Sequence, residues 1–268
     1  MKKIAFIGAG NMGEALIRGI IANGLFSPHN IIAADPDRPR RELIARELGI
    51  NVTAENREAV LFADTVFLSV KPQILSNVIT DISPTIREDQ LLVSILAGVS
   101  TRSLEEKLKR KIPIVRVMPN TPALVQSGIS AICGGRYAGS ADLKTVEEIM
   151  GSVGNVLMVS EELIDAVTAV SGSGPAYIFL FTEALARAGR KLGLTGEQAD
   201  RLARETVIGA GKLLKETGQA PEILRRNVTS PGGTTEAALK TFGELDFEAI
   251  VEKAVAAAYQ RAGELGDA

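Results

Sequence analysis

The first half of the chain alternates short apolar runs with amphipathic segments, and this alternation restricts the fold more than any other feature. Short apolar runs bounded by turn residues indicate strands, and the segments between them have helical periodicity. Strands that alternate with helices form parallel sheets, so the pattern predicts an α/β domain with a doubly wound, mostly parallel sheet. The predicted strands are residues 4–7, 31–34, 65–70, 91–95, 114–118, 129–132 and 156–159.

The pattern changes after Ser160, where helical periodicity alone continues to the end of the chain. The sequence therefore predicts an α/β domain of residues 1–160 and an all-α domain of residues 161–268. The C-terminal helices carry Ala, Gly and Leu on more than one face, and a helix that is apolar all round has to be covered on every side. We therefore expect homo-oligomerisation through the helical domain.

Composition and charge exclude several classes of partner. The 30 Lys and Arg residues nearly balance the 32 Asp and Glu residues, and no basic run is interleaved with aromatics, so nucleic acid is not an expected partner. No apolar run predicts a signal peptide or a membrane span. The single cysteine, Cys133, is expected to be a buried, inert thiol, which favours a reducing, cytoplasmic location. No metal site is predicted.

The motif GAGNMG, residues 8–13, follows the first predicted strand and opens a helix. Glycines at this spacing let the backbone approach a pyrophosphate, which then lies on the N–H groups of the helix start. The second predicted strand ends at Asp35, where an acid can hydrogen-bond the adenosine ribose of NAD. The two features together predict a dinucleotide site, whereas a glycine turn that only packs a helix on a sheet leaves Asp35 unexplained.

The residues leave the choice between NAD(H) and NADP(H) open. Asp35 repels a 2′-phosphate, but three arginines follow it and could pair with one. Arg38 is the better candidate for that contact. Arg40 and Arg41 fit a solvated first turn of the next helix equally well.

Two later strand ends also carry polar or rigid residues. Ligands of open parallel sheets bind outside the carboxyl ends of the strands, so Val70, Lys71 and Pro72 are predicted to line the cofactor cleft. Asn120 lies in the rigid sequence VMPNTP and could face a substrate. A stiff turn between two strands explains Asn120 equally well.

The residues that would reduce a carbonyl are missing from the expected positions. Such sites usually supply a strong general acid, but the only histidine, His29, lies in a loop far from the expected nicotinamide end. Ile178 stands where the similar G-x-G-x-x-x-K pattern of β-hydroxyacid dehydrogenases has its catalytic lysine. An imine, which arrives already protonated, needs polar positioning more than a strong acid.

The stretch SPGGTTEAAL, residues 230–239, could provide that positioning. Gly232 and Gly233 are expected to expose backbone N–H groups to a carboxylate. Thr234 or Thr235 could cap the following helix, and a threonine hydroxyl can hydrogen-bond a ring nitrogen. A plain helix cap after a turn is the alternative explanation.

Several motifs together resemble those of the pyrroline-5-carboxylate reductase family. They run in consistent order from about residue 4 to residue 264: FIGAGNMGEAL, LSVKPQ, AGV, MPNTPALV, DAVTAVSGSGPAYIF and NVTSPGGTTEAAL, the last being the most specific. The resemblance implies NADPH- or NADH-dependent reduction of L-1-pyrroline-5-carboxylate to L-proline, the last step of proline biosynthesis. It also implies an N-terminal Rossmann domain and a helical domain that interdigitates with a partner into a dimer, often assembled further into decamers.

The resemblance also implies which residues form the site. Thr235 matches the threonine that hydrogen-bonds the imine nitrogen, and the substrate turn lies beside the partner subunit's cofactor cleft. Some family members have serine in place of Asp35, which leaves the usual NADPH preference open here. The implied substrate contacts are Ser230, Gly232, Gly233, Thr234 and Thr235, to which the loop chemistry adds Asn120. The cofactor contacts are Ile7, Gly8, Ala9, Gly10, Asn11, Met12, Gly13, Asp35, Pro36, Asn56, Val70, Lys71, Pro72 and Ala97, to which the ribose argument adds Arg38.

Two other functions remain as alternatives. Another imine or carbonyl reductase on the same scaffold would share most of these motifs. A non-catalytic dinucleotide sensor would bind the cofactor without consuming it.

Overall fold

A computed structural model describes residues 2–266, and all its strands belong to one sheet. The strands are β1 (Ile4–Ile7), β2 (Ile31–Ala34), β3 (Asn51–Thr53), β4 (Thr65–Leu68), β5 (Leu91–Ser94), β6 (Ile114–Met118), β7 (Gly128–Gly134) and β8 (Gly154–Met158). The helices are α1 (Asn11–Ala22), α2 (Arg38–Leu48), α3 (Asn56–Phe62), α4 (Leu75–Ile82), α5 (Thr101–Leu108), α6 (Ser140–Gly151), α7 (Ile164–Val167), α8 (Gly174–Lys191), α9 (Gly196–Thr217), α10 (Pro221–Asn227), α11 (Thr234–Glu244) and α12 (Phe247–Gly266).

The sheet has the strand order β3-β2-β1-β4-β5-β6-β7-β8. Among the strands of residues 2–266, only the β6–β7 pairing is antiparallel, so the predicted doubly wound, mostly parallel sheet is confirmed. The chain runs outward in one direction from β1 to β3 and then in the other from β4, which makes β1 and β4 the switch point of the topology. The predicted strands at 65–70 and 91–95 end earlier in the structure, and the short edge strand β3 was not predicted because it has no apolar run.

The central strands β1, β2, β4 and β5 are buried on both faces, as strands of a parallel sheet usually are. Side chains of β1 alternate between two apolar layers: Ile4 and Phe6 lie in one, Ala5 and Ile7 in the other. Phe6 stacks on Phe67 of β4 with ring centroids 5.0 Å apart. The central strands are thereby fixed from both sides, and the loops at their carboxyl ends start from rigid positions.

Cys133 lies on β7 opposite Arg116 of β6 and is buried, as predicted. Burial, together with the nearby Glu161 carboxylate, raises the pKa of the Cys133 thiol to about 11. Because the thiolate is the reactive form, the thiol is inert at neutral pH.

The described chain divides into two compact units. One contains residues 2–173 together with 258–266, which includes the sheet and the last turns of α12. The other contains residues 174–257 and is all helical. The domain boundary near residue 160 stays a prediction.

The helical unit leaves large apolar side chains exposed. Phe179 and Leu180 of α8 are 61% and 62% exposed, whereas its buried apolar residues are alanines of α8 and α9. Phe181, Phe242 and Phe247 form a small aromatic cluster with centroids 5.2–6.5 Å apart. Such faces are stable only when another surface covers them.

One helical stretch in the described residues, Glu161–Lys191, is long and apolar enough to cross a membrane by length and composition. No stretch of that kind is expected from the sequence alone. An 18-residue window within this stretch has a mean hydropathy of 1.3, and 11% of the window is buried.

Gly98, in the loop after β5, supports a prediction about stability. It has φ +73°, and an added Cβ would lie 2.9 Å from the carbonyl carbon and oxygen of Leu265 in the last turn of α12. We expect Gly98→Ala to lower the free energy of unfolding by about 2–4 kcal/mol, from backbone strain and overpacking together. Urea denaturation followed by circular dichroism measures the change.

Gly24→Ala is the matched control for this variant. Gly24 has φ +67°, but nothing lies within 4 Å of the position that an added Cβ would occupy, so only the backbone strain of about 1 kcal/mol applies. Equal losses in the two variants would show that the close approach of Leu265 to residue 98 adds no overpacking penalty.

Candidate functional site

The predicted cofactor residues gather at the carboxyl edge of the sheet. The glycine loop follows β1, Asp35 follows β2, and residues 69–72 follow β4. Because these strands are parallel neighbours, their carboxyl ends open at the same edge, with the switch point between β1 and β4. Open α/β sheets bind their ligands in a crevice of this kind.

The glycine loop has the geometry of a phosphate cradle. Gly8 has φ +95°, and its N–H donates to the Ala34 carbonyl at 2.8 Å. A Cβ added at Gly8 would lie 2.7 Å from the Ser69 carbonyl oxygen, and one added at Gly13 would lie 2.8 Å from the Gly8 carbonyl oxygen. Packing therefore requires glycine at both positions. At Gly10 nothing lies within 4 Å of that position, so this face of the loop is open.

Helix α1 starts directly at this open face. Gly10 is its N-cap and provides no side-chain cap, so the first N–H groups, from Asn11 to Gly13, have no partner within the helix. Unpaired amides and the positive end of the helix dipole favour a phosphate group. The residues present therefore fit a dinucleotide pyrophosphate.

Ser69 supports the loop and was not singled out from the sequence. Its hydroxyl donates to the carbonyl oxygen of Gly8 at 2.6 Å, and its backbone N–H donates to the carbonyl oxygen of Ile7 at 2.9 Å. The sequence places Ser69 at the end of an apolar run, but its role depends on the pairing of β4 with β1, which one sequence does not reveal.

Asp35 is half-buried and its carboxylate is held by two backbone amides. Oδ2 accepts from the Ala9 N–H and Oδ1 from the Asp37 N–H, both at 2.9 Å. The carboxylate thus connects the end of β2 to the glycine loop. Its predicted contact with a ribose diol stays a prediction.

The three arginines after Asp35 differ in their surroundings. Arg38 is 80% exposed at its side chain and pairs with Glu42 one turn further along α2. Arg41 donates to the carbonyl oxygens of Asp35 and Pro36 at 2.7 and 2.9 Å. Arg40 is only 20% exposed and contacts the glycine loop, so the idea that it is a solvated residue is wrong.

The other predicted cofactor residues lie at the same edge with varied surroundings. Lys71 and Pro72 are exposed, while Val70 packs partly against the core. The side-chain amide of Asn56 donates to Asp81 at 3.1 Å, and Ala97 lies in the loop after β5. Their contacts with a cofactor stay predictions.

Asn120 follows β6 at this edge. Its side-chain oxygen accepts from the Ile129 N–H at 3.0 Å, which fixes the start of β7. This contact supports the alternative of a rigid turn between strands. The substrate role of Asn120 stays a prediction.

The Pro-Gly-Gly-Thr-Thr turn lies in the helical unit and differs from expectation in two details. Gly233 is the N-cap of α11, so neither Thr234 nor Thr235 caps the helix, because both already belong to it. The Gly232 N–H donates to the Glu236 carboxylate at 2.8 Å and the Gly233 N–H to the Ser230 carbonyl oxygen at 3.0 Å. The expectation that these two amides are open is therefore wrong.

The open amides belong instead to the first turn of α11. No side chain caps that turn, so the N–H groups of Thr234 and Thr235 have no partner within the helix. Within residues 174–257, the half-buried Thr235 hydroxyl has no hydrogen-bond partner either. The turn thus combines anion-binding amides with one available hydroxyl.

Comparison with known proteins identifies the family. The chain is 47% identical over 266 residues to a pyrroline-5-carboxylate reductase of Pseudomonas aeruginosa, covering 99% of this chain and 97% of that protein. The chain belongs to the pyrroline-5-carboxylate reductase family. The resemblance inferred from the motifs is confirmed.

Solved structures of the family agree with this fold. A pyrroline-5-carboxylate reductase of Coxiella burnetii superposes with a TM-score of 0.93 at 39% identity, covering 98% of both chains. A Plasmodium falciparum pyrroline carboxylate reductase with NADP bound superposes with a TM-score of 0.88 at 34% identity, covering 99% of this chain and 98% of that one.

Two family models match separate parts of the chain. The model described as NADP oxidoreductase, coenzyme F420-dependent, matches residues 3–98, which contain the glycine loop. The model described as pyrroline-5-carboxylate reductase dimerisation matches residues 161–265. The second match accounts for the exposed apolar faces of the helices and confirms the expected self-association.

Proposed function

We propose that this protein reduces L-1-pyrroline-5-carboxylate to L-proline, the last step of proline biosynthesis, with NADPH or NADH as hydride donor. The observation that carries the proposal is the 47% identity to a pyrroline-5-carboxylate reductase over nearly the whole chain. The open glycine loop and the open first turn of α11 provide the two kinds of binding surface that the reaction requires.

The cofactor half uses residues of the sheet edge. The amides at the start of α1 would hold the pyrophosphate, and Asp35 the adenosine ribose. When bound, the nicotinamide supplies a hydride to the imine carbon. Residues 70–72 and Ala97 would line the cleft, with the exposed Arg38 available to a 2′-phosphate.

The substrate half uses the turn before α11. The substrate carboxylate would lie on the amides of Thr234 and Thr235, where the helix dipole favours an anion. The Thr235 hydroxyl would hydrogen-bond the imine nitrogen and stabilise the amine as it forms. Ser230, Gly232 and Gly233 would shape the turn, which they already do through their own hydrogen bonds.

The finer points of assembly and location are also proposals. The resemblance favours a dimer that can assemble further into a decamer. The balanced charge supports the proposal that nucleic acid is not a partner, and the single buried cysteine supports a cytoplasmic location without a membrane partner.

The direct test measures the loss of nicotinamide absorbance when the purified protein meets L-1-pyrroline-5-carboxylate. We expect rapid loss with at least one of NADPH and NADH, because cofactor loop and substrate turn are both present. The ratio of the two rates reports whether Asp35 or Arg38 governs the ribose pocket.

Two outcomes would favour the alternative functions. Oxidation of the cofactor by other imines or carbonyls, but not by this substrate, would indicate a different reductase on the same scaffold. Tight dinucleotide binding without consumption by any such substrate would indicate a sensor.

A further inference from the structure

The peptide groups on both sides of Ala9, the residue between the first two glycines of the loop, are held by side chains of the neighbouring strand–helix unit. The Ala9 N–H donates to Asp35 Oδ2 at 2.9 Å. The Ala9 carbonyl oxygen accepts from Arg40 Nε at 2.6 Å. Ala9 itself is 1% exposed, and both bonds are partly buried.

Arg40 is in turn held by Glu14 in the first turn of α1. Arg40 Nη2 lies 2.5 Å from Glu14 Oε2, and the side chains of both residues are about one-fifth exposed. Glu14 also pairs with Arg18, which reaches Glu47 at the far end of α2. Partial burial works to raise the pKa of Glu14, but hydrogen bonds from Arg18 and Arg40 hold it below its usual value. Glu14 is therefore a charged anchor for Arg40 at neutral pH.

The planar, trans peptide bond explains what the Arg40 contact does. The carbonyl of Ala9 and the N–H of Gly10 belong to one peptide plane and point in opposite directions. A guanidinium fixed on the carbonyl therefore aims the Gly10 N–H away from Arg40. Gly10 is exposed at the open face of the loop, where a ligand can reach its amide.

We propose that Arg40 is a positioning residue for the dinucleotide loop, which orients the loop amides equally for NADH and NADPH. The inference rests on the proposed use of a nicotinamide cofactor. Two of the three guanidinium nitrogens of Arg40 donate hydrogen bonds, one to the Ala9 carbonyl oxygen and one to the Glu14 carboxylate. The side chain is therefore held against the loop. The opposite result is expected for the exposed Arg38, two residues earlier in the chain, because a residue that contacts only a 2′-phosphate discriminates between the two cofactors.

The test is equilibrium binding of NADH and of NADPH to Arg40→Met, followed by nicotinamide fluorescence without substrate. We expect both Kd values to rise by the same factor, roughly tenfold, as expected for weakened charge-assisted anchoring. The turnover number at saturating cofactor should stay the same, since the loop is ordered once it is filled. A Kd increase for NADPH alone, or no increase for either cofactor, would overturn the proposal.

Two further variants separate positioning from general damage. Arg102→Met removes an exposed arginine paired with Glu106 on α5 and should leave both Kd values unchanged. Glu14→Gln weakens the anchor of Arg40 without touching the loop, and should raise both Kd values equally but by a smaller factor. If Arg40→Met does not fold, Glu14→Gln provides the test instead. Kd values for NADH and NADPH that change unequally, or do not change, in Glu14→Gln would then reject the proposal. Because the Kd values are measured without substrate, they do not depend on which imine the enzyme reduces.

Discussion

Replacing Thr235 by alanine is expected to lower kcat by on the order of a hundredfold, which is the size of effect found for one proton-donating or charge-stabilising group. The hydroxyl of Thr235 lies in the first turn of α11 and bonds to nothing within residues 174–257. Its removal therefore costs the helix little. Cofactor binding should be unchanged, because the glycine loop belongs to the other compact unit. Steady-state kinetics with varied substrate and cofactor measure the change.

Variants of the same helix make the Thr235 result specific. Thr235→Ser keeps the hydroxyl and should retain most of the turnover. Thr241→Ala removes a threonine of α11 whose hydroxyl only donates back to the Ala237 carbonyl oxygen, so its kcat should stay at the wild-type value. An unchanged kcat in Thr235→Ala would remove Thr235 from the mechanism and leave the backbone amides as the important part of the turn.

The fold could be predicted largely because its signals are local. The apolar runs of β1, β2 and β6 are bounded by turn residues, and their predicted limits match the structure. Gly49 ends α2 in a left-handed conformation, as a glycine after a helical pattern predicts. The edge strand β3 has no such signal, since its three residues pair through their backbone and contain two polar side chains.

The site could be predicted only in part, because much of it depends on contacts between distant segments. The glycine spacing indicated the loop, but not that Ser69 supports it from the end of β4 or that Arg40 fixes the Ala9 carbonyl. Serine and arginine are common residues, and their roles follow from strand order and from the direction of α2. The hydrogen bonds that close the Gly232 and Gly233 amides are short-range, but they depend on turn geometry rather than residue type.

Gly10→Val is expected to weaken binding of both NADPH and NADH by about 10- to 100-fold, the range that corresponds to losing a hydrogen bond to a charged group. The added side chain would project from the open face of the loop, where nothing of the protein lies within 4 Å of the new Cβ. Gly10 has φ −66°, which valine adopts without strain, so the fold should persist. The bulk then obstructs only the approach of the pyrophosphate to the amides of α1. Fluorescence titration with each cofactor measures the loss.

Gly139→Val is the matched control, because Gly139 is the N-cap of α6 in a similar extended conformation and its added Cβ would also meet almost open space. The two variants should lose similar, small amounts of stability, but only Gly10→Val should lose cofactor affinity. Gly13→Ala gives the contrasting case: its methyl group would lie 2.8 Å from the Gly8 carbonyl oxygen, so stability and affinity should fall together. Normal affinity in a folded Gly10→Val protein would mean that the pyrophosphate does not bind at the start of α1. The unpaired amides there would then have no part in cofactor binding, and the cofactor would have to bind elsewhere along the sheet edge.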